Sequence, residues 1–293
     1  MAFVVTNIEA LRIESQSPLR EMYKLSPYVW KTDRGYEILI RAVPHSEVPA
    51  EKIARIYHGR SHDGVCFEMG DESVIPPGPG EDDLDGCEDP TLAVVDGTYY
   101  VYYTGWNERR KRGQLLLASG PDLEHLEKRG VALASMHGRA NPKEATIVQA
   151  ADGSWRLFFE FARDDASKIG VARSDRVAGP WHVCEPLFDS RPETWDAWHL
   201  STGPICESGA SPVMFYNGAT RKAEWRIGWI VFDGRYERVL ARGADPILAA
   251  PAQREAEDTD IAFAASAVDD GLSIRLYYSI ADKDMYCALI RAL

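Results

Sequence analysis

The residues best equipped for chemistry lie in one stretch, DGCEDPTLAVVDGTYYVYYTGWN, residues 85–107. Asp85, Glu88 and Asp89 crowd Pro90, and an alternating apolar run, an Asp-Gly turn and an aromatic strand follow. Negative charge set just before a buried-looking strand has two readings. It is a solvated loop, or it is a proton-transfer site, since clustered like charges raise a carboxyl pKa until a proton stays bound near neutral pH.

Other groupings are weaker. His58 and His62 are four apart, but their segment reads as strand and turn, which does not put both on one face, so no metal site is expected. GPGEDDLDG (78–86) is acidic but lacks calcium-loop spacing. No phosphate-cradling glycine loop and no Ser-His-Asp set is present, and no cofactor is expected. Arg109, Arg110, Lys111 and Arg112 form the one basic run. It reads as a solvated hairpin tip, with a contact in a homo-oligomer as the alternative.

The elements that position Asp89 follow from a repeat. A glycine turn followed by an aromatic strand recurs at Gly35, Gly97, Gly153, Gly209 and Gly271, at intervals of 62, 56, 56 and 62 residues. Each unit holds about four short strands, as in PTLAVV, TYYVYYTG, QLLLASG and KRGVALA. Four-stranded units at this period predict an all-β, five-bladed β-propeller spanning residues 1–293 as one domain. The last unit is short, and FVVTNIEALRI near the N-terminus is expected to supply its missing outer strand. A two-sheet sandwich is the competing architecture.

Innermost strands of a propeller gather their leading residues at one channel mouth, a natural ligand site. The positions matching Glu88 and Asp89 are Ser26, then Lys143 and Glu144, then His199, Ser201 and Thr202, then Asp258 and Asp260. Trp106, Trp195 and Trp198 lie near the expected mouth, where an aromatic face can stack on a sugar or simply pack.

The 293 residues carry a net charge of −12, which disfavours nucleic acid and anionic membrane as partners. No apolar run is long enough to span a bilayer, and the first residues do not read as a signal peptide. Five scattered cysteines without a CxxC pair fit free thiols and a cytoplasmic location.

CEDPTL with DGTYYVYYTG resembles the catalytic segment of glycoside hydrolase family 130, the β-mannoside phosphorylases and β-mannosidases. LIRA with Arg41, GRSHDGVCF with Arg60 and Asp63, ADPIL, and LYYSIADKDMYCALI with Asp282 agree with further family segments in order. The resemblance implies a five-bladed propeller, an oligosaccharide substrate, and Asp89 as the acid that protonates the glycosidic oxygen through a sugar hydroxyl. Substrate-binding residues expected from the resemblance and the aligned mouth positions are Ser26, Arg41, Arg60, Glu88, Trp106, Lys143, Glu144, His199, Asn217, Asp260 and Asp282.

The chain departs from the family's phosphorylases where they bind phosphate. Phe159 and Glu160 replace a His-Arg pair, His199 stands for a lysine and Asn217 for a histidine, while Thr91 stands for an arginine of the catalytic segment, a change that bears on substrate identity. Glu160 is then a candidate base for water, and an inverting glycosidase acting on β-mannosides is the leading expectation. Arg163 could restore the missing cation, keeping a phosphorylase as the first alternative. A furanosidase-like propeller hydrolase and a non-catalytic sugar-binding propeller are the others.

Overall fold

The computed structural model describes residues 2–207, 209–252 and 259–293. Asp258 lies outside the described residues. The described chain is all-β apart from two short 3-10 turns, Leu19–Glu21 and Pro49–Glu51.

Each repeat unit is an antiparallel meander. In the first, Met22–Thr32, Gly35–Pro44, Arg55–Ser61 and Cys66–Ile75 pair in turn. The second runs Cys87–Val95, Thr98–Asn107, Arg112–Gly120 and Glu127–Leu133. The third runs Ala140–Gln149, Trp155–Arg163, Ala166–Ser174 and His182–Val183. The fifth runs Ala262–Asp269, Ile274–Ile280 and Asp284–Ala292, and Phe3–Ala10 completes it, pairing Phe3 with Ala292 through to Ala10 with Tyr286. The N-terminal segment does more than expected. Arg12–Glu14 continues into the first sheet, parallel to Cys66–Ile75, so one short segment bridges the first and last units.

The fourth unit is split into two small sheets. His199–Ser201, Asn217–Ala219, Trp225–Ile227 and Leu248–Ala249 form one, and Ile205–Cys206, Val213–Met214, Ile230–Phe232 and Val239–Arg242 the other. Gly203-Pro204 explains the break in the leading strand. Proline brings no backbone donor, and a Cβ on Gly203 would lie 1.8 Å from the Phe215 carbonyl oxygen.

Neighbouring units are tied by side chains in a closed order. Ser26 Oγ reaches Asp89, and Glu144 N donates to Thr104 Oγ1. Thr146 Oγ1 donates to the Gly203 carbonyl, and Asn217 Nδ2 to the Ala264 carbonyl. Ser266 Oγ returns to the first unit through the Pro27 carbonyl. The apolar core follows the same order, as one buried cluster between each pair of adjacent units. Leu39, Ile56 and Val101 pack between the first and second, and Phe67, Val268 and Tyr277 between the first and fifth. Large-to-small substitution of such aromatics costs about 3–5 kcal/mol.

Candidate active site

Three leading strands carry the same distortion. Ladder register slips between Leu25 and Tyr28, between Glu88 and Thr91, and between Lys143 and Thr146. Inside each slip sits a non-glycine residue with left-handed backbone: Ser26 (φ 53°), Asp89 (φ 50°) and Glu144 (φ 49°). Such a conformation costs about 1–2 kcal/mol for an L-residue, and a bulge re-aims its side chain. All three side chains line one cavity of about 330 Å³, with Arg41, Lys143, Glu160, Ser279 and Asp282.

Asp89 is 6% exposed and is the hub of the cavity. Ser26 Oγ donates to it at 2.5 Å, the Arg41 guanidinium stands 3.5 Å away, and Glu144 hydrogen-bonds it. Arg41 also grips Glu88 at 2.8 Å, while its own Nε is buried without a partner. Burial works to raise the Asp89 pKa, but Arg41 and the hydrogen bonds from Glu144 and Ser26 hold it below the ordinary value. The raised carboxyls are its neighbours. Burial and then the Asp89 charge push Glu144 well up, against Lys143, and burial pushes Glu88 up, against Arg41. The expectation that crowding would raise Asp89 itself is thus corrected. Asp85, counted among the crowding charges, instead caps the backbone N–H of Glu108.

Glu160 is 3% exposed. It accepts from Ser167 Oγ at 2.7 Å and pairs with Lys143 Nζ at 3.3 Å. The Arg163 guanidinium lies over the Phe161 ring and near Asp164, so it is not a substitute phosphate cation. The Glu160 charge holds the Lys143 ammonium firmly protonated, and about two-fifths of the Lys143 side chain remains exposed.

Ser26, Arg41, Asp89, Lys143, Glu144, Glu160 and Asp282 are brought together, with Glu88 directly behind Arg41. His199 stands at the edge. It accepts the Ser167 N–H, stacks on Trp225 at 5.7 Å, and is lowered in pKa by burial. Four expected residues lie elsewhere. Arg60 lines a separate cavity toward the other end of the first sheet, with Arg34, Glu37 and His62. Asn217 is wholly buried, its amide joining Thr202 to Ala264. Asp260 clamps Arg226 through both oxygens, and the Trp106 indole donates to Glu108.

Two further features resolve structurally. The acidic loop and the basic run satisfy one another, Arg109 and Arg110 meeting Glu81. Trp195 stacks on Tyr216 under Gly218 and Gly228. Sequence reasoning missed the apolar wall of Tyr23, Trp225, Ile261 and Phe263. Trp225 and Phe263 meet edge to face at 5.3 Å, the kind of surface on which a sugar ring stacks. The signal was the lone tryptophan in KAEWRIG, hidden by its polar neighbours. Among the described residues no helix is long and apolar enough to cross a membrane, and no cluster suited to a metal ion occurs.

Residues 11–292 match the family model of glycoside hydrolase family 130, described as beta-1,4-mannooligosaccharide phosphorylase. A 1,2-beta-oligomannan phosphorylase from Thermoanaerobacter sp. (strain X514) is 26% identical over 268 residues, 88% of this chain and 86% of the relative. A beta-1,2-mannobiose phosphorylase from the same organism is 25% identical, covering 85% of this chain and 82% of the relative. The solved beta-1,2-mannobiose phosphorylase of Listeria innocua, in complex with beta-1,2-mannobiose, superposes with a TM-score of 0.77 at 19% identity, covering 97% of this chain and 90% of that one. The fold is thus related to known β-propeller structures of the family. The relatives' names overturn the expectation of a glycosidase, which had rested on the residues replacing the family's phosphate-binding cations. The chain belongs to glycoside hydrolase family 130.

Proposed function

We propose that this protein is a glycoside phosphorylase acting on β-mannosides, with β-1,2-linked mannobiose among its candidate substrates, and that residues 1–293 form a single five-bladed propeller around the cavity. The closed order of contacts between five units supports the architecture. The observation that carries the reaction is Asp89, seated in a cavity beside a cation, Lys143, that keeps part of its side chain exposed. The curated relatives, all named phosphorylases, support the same reading.

In this reading the non-reducing mannosyl unit stacks on Trp225 and Phe263. Hydrogenphosphate attacks the anomeric carbon from the face opposite the leaving group. The glycosidic C–O bond breaks, its electron pair stays on the leaving oxygen, and that oxygen takes the Asp89 proton through a sugar hydroxyl. Inversion turns a β-mannoside into α-mannose 1-phosphate. Lys143 supplies positive charge where phosphate enters, although Glu160 takes up part of it.

Incubating the protein with β-1,2-mannobiose, with and without inorganic phosphate, tests the reaction. Phosphate-dependent release of mannose 1-phosphate is expected. Release of mannose alone, at a rate indifferent to phosphate, overturns the reading.

A further inference from the structure

Asp89 poses a problem for the reading above. An acid must hold a proton, yet Ser26, Arg41 and Glu144 all favour its ionised form. The neighbour that holds a proton is Glu144, which reaches Asp89 from the adjacent sheet at the matching bulge. Its placement is tightly specified. The Glu144 N–H donates to Thr104 Oγ1, and the Glu144 carbonyl accepts from Thr202 Oγ1 at 2.6 Å. Two neighbouring sheets thus fix the strained backbone that aims this carboxyl at Asp89.

We propose that Glu144 is the proton-supplying partner of Asp89: the two carboxyls share one proton, and Glu144 passes it to Asp89 as Asp89 protonates the leaving group. The inference rests on Asp89 being the acid. The proton count closes. Asp89 gives a proton to the leaving oxygen through the sugar hydroxyl and takes one from Glu144, which becomes a carboxylate. The proton carried in by hydrogenphosphate is released to solvent as the sugar phosphate forms its dianion, and the Asp89–Glu144 pair takes one proton back from solvent. Glu144 acts through Asp89 and is a positioning residue for the proton, not a group on the reacting atoms.

The charged and titratable groups around the pair are Glu88 from Asp89's own strand, Arg41 from the first sheet, Lys143 and Glu160 from the sheet that carries Glu144, Asp282 from the fifth unit, and His199 near Glu160. Arg41 and Lys143 stay charged, so they fix the field in which the shared proton moves.

The test is the pH profile of kcat/KM for phosphorolysis of β-1,2-mannobiose by the whole chain. In the native enzyme the alkaline limb reports loss of the pair's last proton. Glu144→Gln can still hydrogen-bond Asp89 but supplies no proton, leaving Asp89 to titrate alone among groups that favour its charge. Its alkaline limb should fall by about one pH unit or more, about tenfold in kcat/KM on the alkaline side, with Tm unchanged. Glu144→Asp, which keeps a carboxyl, should move the limb back up. If Glu144→Gln folds and its limb coincides with the native one, the proposal is wrong. If Asp89→Asn turns over normally, the acid assignment fails, which is a separate result.

Discussion

Ser26 and Asp89 belong to different sheets, each sits in a bulge with left-handed backbone, and their side chains meet at 2.5 Å. Two strained residues pointed at one another indicate that the fold holds this contact against local preference. Removing the hydroxyl should therefore be felt in the chemistry. A hydrogen bond to a charged group contributes about 1.5–3 kcal/mol. Ser26→Ala is expected to lower kcat about tenfold and to move the alkaline limb of the profile upward, because Asp89 loses a group favouring its charge. An unchanged profile would show the contact to be structural only.

Asp89→Asn separates fold from reaction. Asparagine tolerates left-handed φ better than most residues, so the bulge should survive. The amide cannot donate a carboxylic proton, and a loss of about 10²–10⁴-fold in turnover is expected. Near-native turnover in a folded variant would move the acid elsewhere.

Asn217 stands where the resemblance placed a family histidine, yet the structure gives it a different surrounding: its amide is buried and ties the backbones of Thr202 and Ala264. Asn217→Ala would leave those groups buried without partners, at about 1–3 kcal/mol for each group. The expected result is a lowered Tm by calorimetry, with KM for β-1,2-mannobiose unchanged below the transition.

Much of the fold was legible because the glycine turns mark every unit and aromatic strands follow them. The split fourth unit was not, because Gly203-Pro204 breaks a ladder without interrupting the apolar pattern. In the site, Ser26, Asp89 and Glu144 could be aligned by position, since each leads its unit's inner strand. What could not be read was which of the clustered carboxyls keeps the proton. That depends on Arg41, which lies 48 residues from Asp89 along the chain. Arg60 was misplaced for a related reason. A strand's sequence does not say which end of its sheet faces the cavity.

Asp63 gives a stability test away from the cavity. Its carboxylate accepts the N–H groups of Val65 and Cys66 at 2.8 Å and the Ser61 hydroxyl at 2.9 Å. The Cys66 bond leads in depressing its pKa to about 2. A carboxyl depressed on folding stabilises above its unfolded pKa and ceases to as pH falls through the folded one. Asp63→Ala should cost about 1 kcal/mol near neutral pH. Native and variant Tm values should converge between about pH 4 and pH 2. A constant gap down to that pH would mean that the charge is irrelevant.

Glu160 gives the sharpest test of the reaction class. It is sealed from solvent, held by Ser167, and sets its charge against Lys143. If the cavity admits phosphate, Glu160 opposes it, because it neutralises the cation that the anion needs. Glu160→Gln keeps the shape and the Ser167 hydrogen bond while freeing the Lys143 charge. KM for phosphate should then fall, by up to about tenfold for an interaction change near 1.4 kcal/mol, with KM for the mannoside little altered. Lys143→Met should do the reverse and also destabilise the protein by leaving Glu160 buried and unpaired. The double variant Lys143→Met/Glu160→Gln should recover the stability but not the phosphate affinity. Initial rates at varied phosphate, with Tm measured in parallel, resolve all three. If the native enzyme instead turns over at a rate indifferent to phosphate and Glu160→Gln abolishes that turnover, Glu160 is a base and the phosphorylase reading is wrong.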